Sequence, residues 1–197
     1  MKRLFIFITG IMMAVAATSR TFNMKQLGAD AKGGEPCTKL INQTIEKAAS
    51  EGGGTIYFPA GTYLTATIHM KSNITLHLES GAIVRFSDRF EDYLPFVTAR
   101  WEGTVMQTLS PLIYAHSADN LTITGRGTLD GNGLKWWLWE FETRKVIKEN
   151  GGKLPSLDKL QQMWVDANKD LEISDYYKPS LERKMFRPPF IQFYECT

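Results

Sequence analysis

Short apolar runs separated by Gly, Pro, Asn or Ser dominate the chain beyond residue 50. Within them apolar and polar positions alternate; Ile56 and Phe58, for example, flank Tyr57. A period of two is typical of β-strands that bury one face. The pattern predicts strands at 55–58, 63–70, 74–78, 82–86, 112–115, 121–124, 128–129 and 190–194.

One segment ahead of these strands has helical spacing instead. Its apolar residues recur at intervals of three and four, which places them on one face of a helix. They are Leu40, Ile41, Ile45, Ala48 and Ala49. Pro36 suits a first helical position and Gly52 a stop, so a helix is predicted over 36–50.

Two of the strand segments share a sequence pattern. Residues 73–84 (NITLHLESGAIV) and 120–131 (NLTITGRGTLDG) both begin with Asn, an aliphatic residue, Thr and a second aliphatic residue. Both then reach a Gly shortly before Ile83 or Leu129. Repeated units too small to bury their own apolar face indicate a stacked solenoid.

The solenoid predicted here is an all-β, right-handed parallel β-helix. Strands of successive coils would stack about 4.8 Å apart, with their inward side chains in aliphatic ladders. The open end of such a solenoid exposes unpaired strand edges and must be covered. The amphipathic helix over 36–50 is well placed to be that cap.

Two segments interrupt the strand pattern. We call 87–110 the first insertion and 133–188 the second insertion. The second is rich in Trp, Lys and Glu, and 135–150 and 156–171 are predicted to be helical. Long excursions from a regular scaffold are where binding residues usually lie, so the insertions are the expected source of functional side chains.

The first 19 residues have the layout of a secretory signal peptide. Lys2 and Arg3 precede an apolar stretch, Leu4–Val15, and a small-residue exit at 14–17. The apolar stretch is shorter than the roughly 20 residues of a spanning helix. We therefore expect a signal peptide at 1–19, a β-helix domain at 20–197, and a secreted or periplasmic protein that is not membrane-attached after cleavage.

Charge and cysteine content exclude several roles. The chain has 23 Lys plus Arg against 21 Asp plus Glu, and removing Lys2 and Arg3 leaves 21 of each sign. No basic run interleaved with aromatic residues suggests nucleic acid as a partner. Cys37 and Cys196 would be separated by several coils, whereas a disulfide needs Cα atoms within about 7 Å. No bridge is expected.

Acidic side chains offer few catalytic candidates. Two pairs with helical spacing, Asp88 with Asp92 and Asp166 with Asp170, lie in polar insertions where a solvated face is the simpler explanation. Asp130, flanked by Leu and Gly in GTLDG, is expected to form a turn.

The three histidines also have simple explanations. His69, His77 and His116 lie in or beside predicted strands, without a nearby serine or cysteine nucleophile. They are too widely spaced to indicate a metal site. We expect them at surface or ladder positions.

These residues resemble glycoside hydrolase family 28, the polygalacturonase family of the pectin-lyase-like superfamily. The resemblance is carried by a series of motifs in a fixed order. They are FNMKQLGADAKG (22–33), GGGTIYFPAGTY (52–63), RWEG (100–103), SPLIYA (110–115), GTLDGNG (127–133) and RPPFIQFYECT (187–197).

The resemblance implies a pectin-degrading glycoside hydrolase that cleaves α-1,4-galacturonan, exo-acting and with inversion. It also implies a full-length monomer that acts on a pectic polysaccharide or oligogalacturonide without a metal or organic cofactor. The alternatives are a rhamnogalacturonan hydrolase, a pectate lyase, and a non-catalytic carbohydrate-binding β-helix.

The family's catalytic motifs follow the coil that begins with Arg-Pro, and the sequence ends in that coil at Thr197. An adjacent Asp pair and a Gly-His-Gly occur nowhere in the sequence. The expectation is therefore that the catalytic residues lie C-terminal to Thr197. The chain alone would then be inactive and, with an open strand edge, poorly soluble.

Substrate contacts are expected in the first insertion, at Arg100, Trp101 and Glu102. Arg100 offers a planar cation that suits a uronate carboxylate, and Trp101 offers an aromatic face for a sugar ring.

The second insertion adds a tryptophan cluster, Trp136, Trp137 and Trp139, which either lines the cleft or packs the insertion onto the scaffold. Arg187 precedes two prolines at the return to the β-helix. It either reaches substrate or anchors the loop.

Overall fold

Three parallel sheets run side by side in a computed structural model of the chain, which describes residues 20–101, 103–152, 156, 158–170 and 187–197. Sheet A contains β1 (Thr21–Asn23), β3 (Gly54–Phe58), β6 (Ile74–Leu78) and β11 (Thr122–Gly125). Sheet B contains β2 (Lys32–Pro36), β4 (Gly61–Thr65), β7 (Ala82–Phe86) and β12 (Thr128–Asp130). Sheet C contains β5 (Ile68–His69), β10 (Ile113–His116) and β13 (Ile191–Tyr194).

The remaining elements lie outside these sheets. They are helix α1 (Thr38–Ser50), a 3₁₀ helix (Phe90–Tyr93), the antiparallel hairpin of β8 (Val97–Trp101) and β9 (Thr104–Thr108), and helices α2 (Leu134–Glu149) and α3 (Lys159–Asn168). No helix among the described residues is long and apolar enough to cross a membrane.

Each coil passes from sheet A to sheet B to sheet C, which confirms the predicted right-handed parallel β-helix. In the earliest complete coil the step from β4 to β5 takes only Ala66 and Thr67. In the next coil the first insertion occupies that step, and in the following coil the second insertion does so. Both insertions therefore leave the β-helix at the same corner, between sheets B and C.

Inward-facing side chains form the predicted ladders. Ile56 pairs with Leu76 in sheet A, Tyr63 with Val84 in sheet B, and Ile68 with Ile113 in sheet C. All six are fully buried. Because burying a large aliphatic or aromatic side chain contributes about 1.5–3 kcal/mol, the stacked ladders account for much of the stability of the coil.

Helix α1 is the cap, but it begins later than predicted. The helix starts at Thr38 because Pro36 is still in β2, paired with Leu64, and the Cys37 amide donates to the Leu64 carbonyl at 2.7 Å. The expectation of Pro36 as a first helical residue is therefore wrong, since a sheet partner holds that position extended.

One helix side chain completes the open edge of sheet C. The Asn42 amide nitrogen donates to the Thr67 carbonyl at 2.9 Å, and its oxygen accepts from the His69 amide at 2.9 Å. Asn42 therefore supplies the donor and acceptor that a neighbouring strand would supply to β5. This is a direct solution to the exposed edge of a solenoid.

The repeat seen in the sequence corresponds to a stacked turn. Asn73 and Asn120 both have positive φ, 63° and 56°, and the side-chain nitrogen Nδ2 of Asn120 donates to Asn73 Oδ1 at 3.0 Å. Gly125 also has positive φ, 106°, and a Cβ there would lie 2.0 Å from the Leu78 carbonyl oxygen. The Asn and Gly positions are therefore set by backbone geometry.

Two other boundaries differ from the sequence prediction. The single strand expected over 63–70 is divided by a corner at Ala66–Thr67. The first insertion, for which the sequence predicted no helix or strand, contains the 3₁₀ helix and the hairpin. The helices expected at 135–150 and 156–171 are confirmed as α2, which is shifted by one residue, and α3, which is shorter than predicted. The expected signal peptide, 1–19, lies outside the described residues.

The two cysteines are both free. Cys37 is buried beside the cap helix, where burial raises the pKa of its thiol, and Cys196 follows β13 at the far end of the stack. Their separation along the coil axis explains why they do not meet.

Candidate functional site

The two insertions pack against each other at the shared corner. Trp136 of α2 is 5% exposed and lies edge-on to Phe90 and Tyr93 of the first insertion, with ring centroids 4.4 and 5.7 Å away. Trp139 also meets Phe90, at 5.2 Å. These two tryptophans therefore hold α2 on the scaffold, the second of the roles that the sequence left open.

Sheet C holds one edge of the hairpin. The Tyr114 hydroxyl donates to the Thr98 carbonyl at 2.8 Å, and Gln192 Nε2 donates to the Arg100 carbonyl at 2.9 Å. Both acceptors belong to β8. The strand that carries Arg100 and Trp101 is therefore fixed to β10 and β13 through its outward carbonyls.

Helix α3 holds the other edge. Asn168 Oδ1 accepts from the Gln107 amide at 2.8 Å, Asn168 Nδ2 donates to the Gln107 carbonyl at 2.9 Å, and Trp164 Nε1 donates to the same carbonyl at 2.7 Å. Asn168 and Asp170 have the Asn-x-Asp spacing of a family 28 catalytic motif, but the Asn168 amide group is engaged in this structural contact. The hairpin is therefore held at both edges, which makes it a rigid platform.

A cavity of about 470 Å³ lies where the end of β12 meets the starts of β10 and β13. Both insertions contribute to its lining, together with the GTLDGNG turn and the Arg-Pro-Pro segment. The lining side chains with chemistry for a sugar are Trp101, Asp130, Asn132, Trp136, Trp137 and Arg187. Its size, aromatic content and few polar groups are typical of a small-ligand site.

The residues predicted to bind substrate together are separated by the structure. Trp101 lines the cavity, whereas Arg100 is exposed and does not. Neighbouring residues of a strand point to opposite faces, and Ala99, on the same face as Trp101, is buried. Glu102 lies outside the described residues.

Asp130 is the carboxylate that lines this cavity. Arg85 Nε donates to Asp130 Oδ2 at 2.8 Å, and the Asn132 amide donates to Oδ1 at 2.9 Å. The Arg85 contact, followed by the Asn132 hydrogen bond, lowers the pKa of Asp130 below its ordinary 3.8. Asp130 is therefore ionised at neutral pH and organises the turn, as the sequence predicted.

Arg187 supplies the cation of the cavity. Among the described residues no carboxylate forms an ion pair with Arg187. The nearby Lys135, by contrast, lies 3.8 Å from Asp88. Of the described residues that line the cavity, Asp130 is balanced by Arg85, and Arg187 therefore contributes a positive charge.

The other acidic candidates make local contacts. Asp92 accepts from the Ser87 hydroxyl at 2.5 Å, and Asp166 accepts from Gln162 at 2.9 Å. Asp170 is exposed just beyond α3. None of them lines the cavity.

The histidines occupy surface or ladder positions, as predicted. His77 pairs with Tyr57 across sheet A, with ring centroids 5.5 Å apart. His116 lies 3.1 Å from the Glu195 carboxylate, and His69 meets the edge of the Tyr114 ring. These contacts explain their presence without a catalytic role.

The family model for "Rhamnogalacturonase A/epimerase, pectate lyase-like" matches residues 21–150. A probable polygalacturonase of Vitis vinifera is 28% identical over 133 residues, which are 63% of this chain and 27% of the relative. The residues matched by the family model include the strands from β1 to β12 and the first insertion.

Two solved structures share the fold with more than 30% identity. A hyperthermoactive exopolygalacturonase from Thermotoga maritima superposes with a TM-score of 0.68 at 35% identity, over 91% of this chain and 39% of that one. A family 28 exopolygalacturonase of Yersinia enterocolitica superposes with a TM-score of 0.52 at 32% identity, over 59% of this chain and 21% of that one. The resemblance to glycoside hydrolase family 28 is confirmed, and the chain spans about a quarter of the curated relative's length.

Proposed function

The chain belongs to the rhamnogalacturonase A/epimerase, pectate lyase-like family, and we propose that its protein is a glycoside hydrolase of α-1,4-galacturonan. The observation that carries the proposal is the cavity at the shared corner. It combines aromatic side chains with a cation that no described carboxylate neutralises. A sugar ring that bears a carboxylate offers the complementary chemistry.

We assign the sugar contact to Trp101, which the hairpin holds at the cavity wall. Arg100 is assigned to a second carboxylate on the other face of the hairpin, outside the cavity. A planar guanidinium binds a carboxylate through two parallel hydrogen bonds, which suits successive uronate units of one chain. Glu102 stays part of this proposal as the neighbour of Trp101 in sequence.

The proposed reaction is exo-acting hydrolysis with inversion. Inversion needs one carboxylic acid to protonate the leaving oxygen and one carboxylate to activate water, about 6.5–9.5 Å apart. Asp130 does not suit the role of the acid, because Arg85 keeps it ionised. The chain's own contribution in this proposal is therefore to bind and orient the substrate.

Product analysis tests the proposal. The whole protein is incubated with oligogalacturonides of known length, and products are followed by chromatography and by proton NMR of the anomeric signal. We expect free galacturonate from the first time point, released as the β-anomer. A mixture of shorter oligomers would show endo attack, and a first-formed α-anomer would rule out inversion.

Other products would identify the alternatives. An unsaturated product that absorbs in the ultraviolet would overturn hydrolysis in favour of a pectate lyase. Cleavage of rhamnogalacturonan but not of galacturonan would identify a rhamnogalacturonan hydrolase. Binding without any cleavage would indicate a non-catalytic carbohydrate-binding β-helix.

We also propose that residues 1–19 are a signal peptide, that 20–197 belong to one β-helix domain, and that the protein acts as a secreted or periplasmic monomer on pectic polysaccharide. N-terminal sequencing of the exported protein tests the first point, with a start near Arg20 expected. A mature protein that retains Met1 would contradict it.

A further inference from the structure

We propose that Arg187 recognises the carboxylate of a uronic acid bound in the corner cavity and makes the site selective for ionised over esterified sugars. This inference rests on the proposed function and adds a specificity-determining residue to it. Sequence motifs point to Arg100 for this role, whereas the structure places Arg187, and not Arg100, at the cavity.

The backbone around Arg187 fixes where its side chain starts. Pro188 and Pro189 follow it, and the proline ring restricts φ to about −65°. The Pro189 carbonyl then accepts from the Leu112 amide at 2.9 Å, and the Phe190 carbonyl from the Ile113 amide at 3.0 Å. Arg187 is therefore two positions before Pro189, which is already hydrogen-bonded beside β10, and four positions before the start of β13.

The charges near Arg187 leave it available for an anion. Glu140, which lines a smaller adjoining cavity of about 140 Å³ with Arg187, accepts from Arg144 Nε at 2.6 Å. Asp130 is engaged by Arg85 at 2.8 Å. Among the described residues that line these two cavities, both carboxylates are thus paired with another arginine. The planar guanidinium of Arg187 has the geometry to bind a ligand carboxylate.

The aromatic side chains around Arg187 complete a uronate site. Trp136 is committed to packing, but Trp137 is 56% exposed and lines both cavities beside Arg187. Trp101 lies on the wall formed by the first insertion. Because Trp101, Trp137 and Arg187 all line this cavity, it offers aromatic faces to a pyranose ring and a cation to the carboxylate of that ring.

The test compares trigalacturonate with its methyl ester, which has the same rings and no carboxylate charge. Binding is measured by titration calorimetry and by tryptophan fluorescence, on the wild-type protein and on Arg187→Gln. We expect the wild type to prefer the acid by about ten- to a hundredfold, the effect of a charge-assisted hydrogen bond. Arg187→Gln should bind acid and ester equally, with ester affinity unchanged.

Two further variants control the result. Arg126→Gln removes an exposed arginine at the corner between sheets A and B, and should keep the wild-type preference. Arg187→Lys keeps the positive charge but loses the planar guanidinium that can bind both carboxylate oxygens, and should keep part of the preference for the acid over the ester. Circular dichroism confirms folding, and Arg187→Lys decides the question if Arg187→Gln does not fold.

The outcomes separate the two proposals. If the wild type binds neither ligand, the proposed function is wrong for this cavity. If the wild type prefers the acid and Arg187→Gln or Arg187→Lys keeps the full preference, the role of Arg187 is wrong while the proposed function stands. Equal binding of acid and ester by the wild type would also overturn the inference.

Discussion

Replacing Asn168 with Ala should loosen the hairpin that carries Trp101. The Asn168 side chain is 1% exposed and makes three hydrogen bonds, two with the Gln107 backbone and one with the Trp164 carbonyl. In the variant the Gln107 carbonyl keeps its bond from Trp164 Nε1, at 2.7 Å. The Gln107 amide keeps no protein acceptor among the described residues.

The expected loss of stability follows from the Gln107 amide, which loses its acceptor while the Gln107 carbonyl keeps a donor. Leaving one buried donor unsatisfied costs about 1–3 kcal/mol, and each hydrogen bond lost contributes about 1 kcal/mol. We therefore expect Asn168→Ala to lower the free energy of unfolding by about 2–4 kcal/mol. If opening is local, a loss of 2 kcal/mol corresponds to exchange of the Gln107 amide about 30-fold faster.

Amide hydrogen exchange at Gln107, together with urea unfolding, measures both quantities. Gln162→Ala is the matched control on the same helix, because the exposed Gln162 side chain hydrogen-bonds with Asp166 alone among the described residues. That variant should stay within about 0.5 kcal/mol of the wild type. The reasoning is refuted if Asn168→Ala matches Gln162→Ala in unfolding free energy and in exchange at Gln107.

Substitutions at Trp136, Asn42 and Asp130, with Trp137→Ala as a control for the first, test separate parts of the structure. Trp136→Ala should lower the free energy of unfolding, measured in urea, by about 3–5 kcal/mol. Trp137→Ala, at an exposed position, should change it by no more than about 0.5 kcal/mol and should weaken oligogalacturonate binding. Equal stability losses in the two variants would contradict the packing described. Asn42→Ala should lower the free energy of unfolding by about 1–3 kcal/mol, because the edge of β5 loses both hydrogen bonds from the Asn42 side chain. An unchanged urea midpoint would count against this capping role. Asp130→Asn tests the pH dependence of stability. Arg85 lowers the pKa of Asp130 in the folded protein below its ordinary value of 3.8. The ionised carboxylate therefore stabilises the folded state above pH 3.8, and this stabilisation is lost as the pH falls through the folded-state pKa. Unfolding free energy below pH 3.8 should therefore fall more steeply in the wild type than in the variant, and parallel curves would refute the coupling.

Much of the coil could be predicted because its determinants are local. The alternation in Thr55–Phe58 predicted which side chains point inward, and Ile56 and Phe58 are indeed buried. The two asparagines of the repeat lie at turns with positive φ, a conformation that their short polar side chains favour locally. The start of α1 could not be predicted in this way, because the pairing of Pro36 with Leu64 is a contact between strands.

The candidate site was only partly predictable. The aromatic–cationic pair Arg100–Trp101 was correctly placed in an insertion, but the sequence did not indicate which face of its strand would meet a cavity. The sequence singled out Arg187 by its place just before Pro-Pro and the last strand, but left open whether it reaches substrate or anchors the loop. The structure adds that it lies at a corner where two insertions leave the coil. That corner becomes visible only when strands are assigned to sheets A, B and C.

The sequence by itself therefore determined the β-helix, since alternation, turn residues and the amphipathic cap act over a few neighbouring positions. The tertiary structure alone decided which distant segments meet. Gln107 and Asn168, 61 positions apart, fix the hairpin to α3, and the same packing brings Trp101, Asp130 and Arg187 to one cavity. The physical reason is that each coil returns to the same corner, so insertions far apart in sequence are stacked in space.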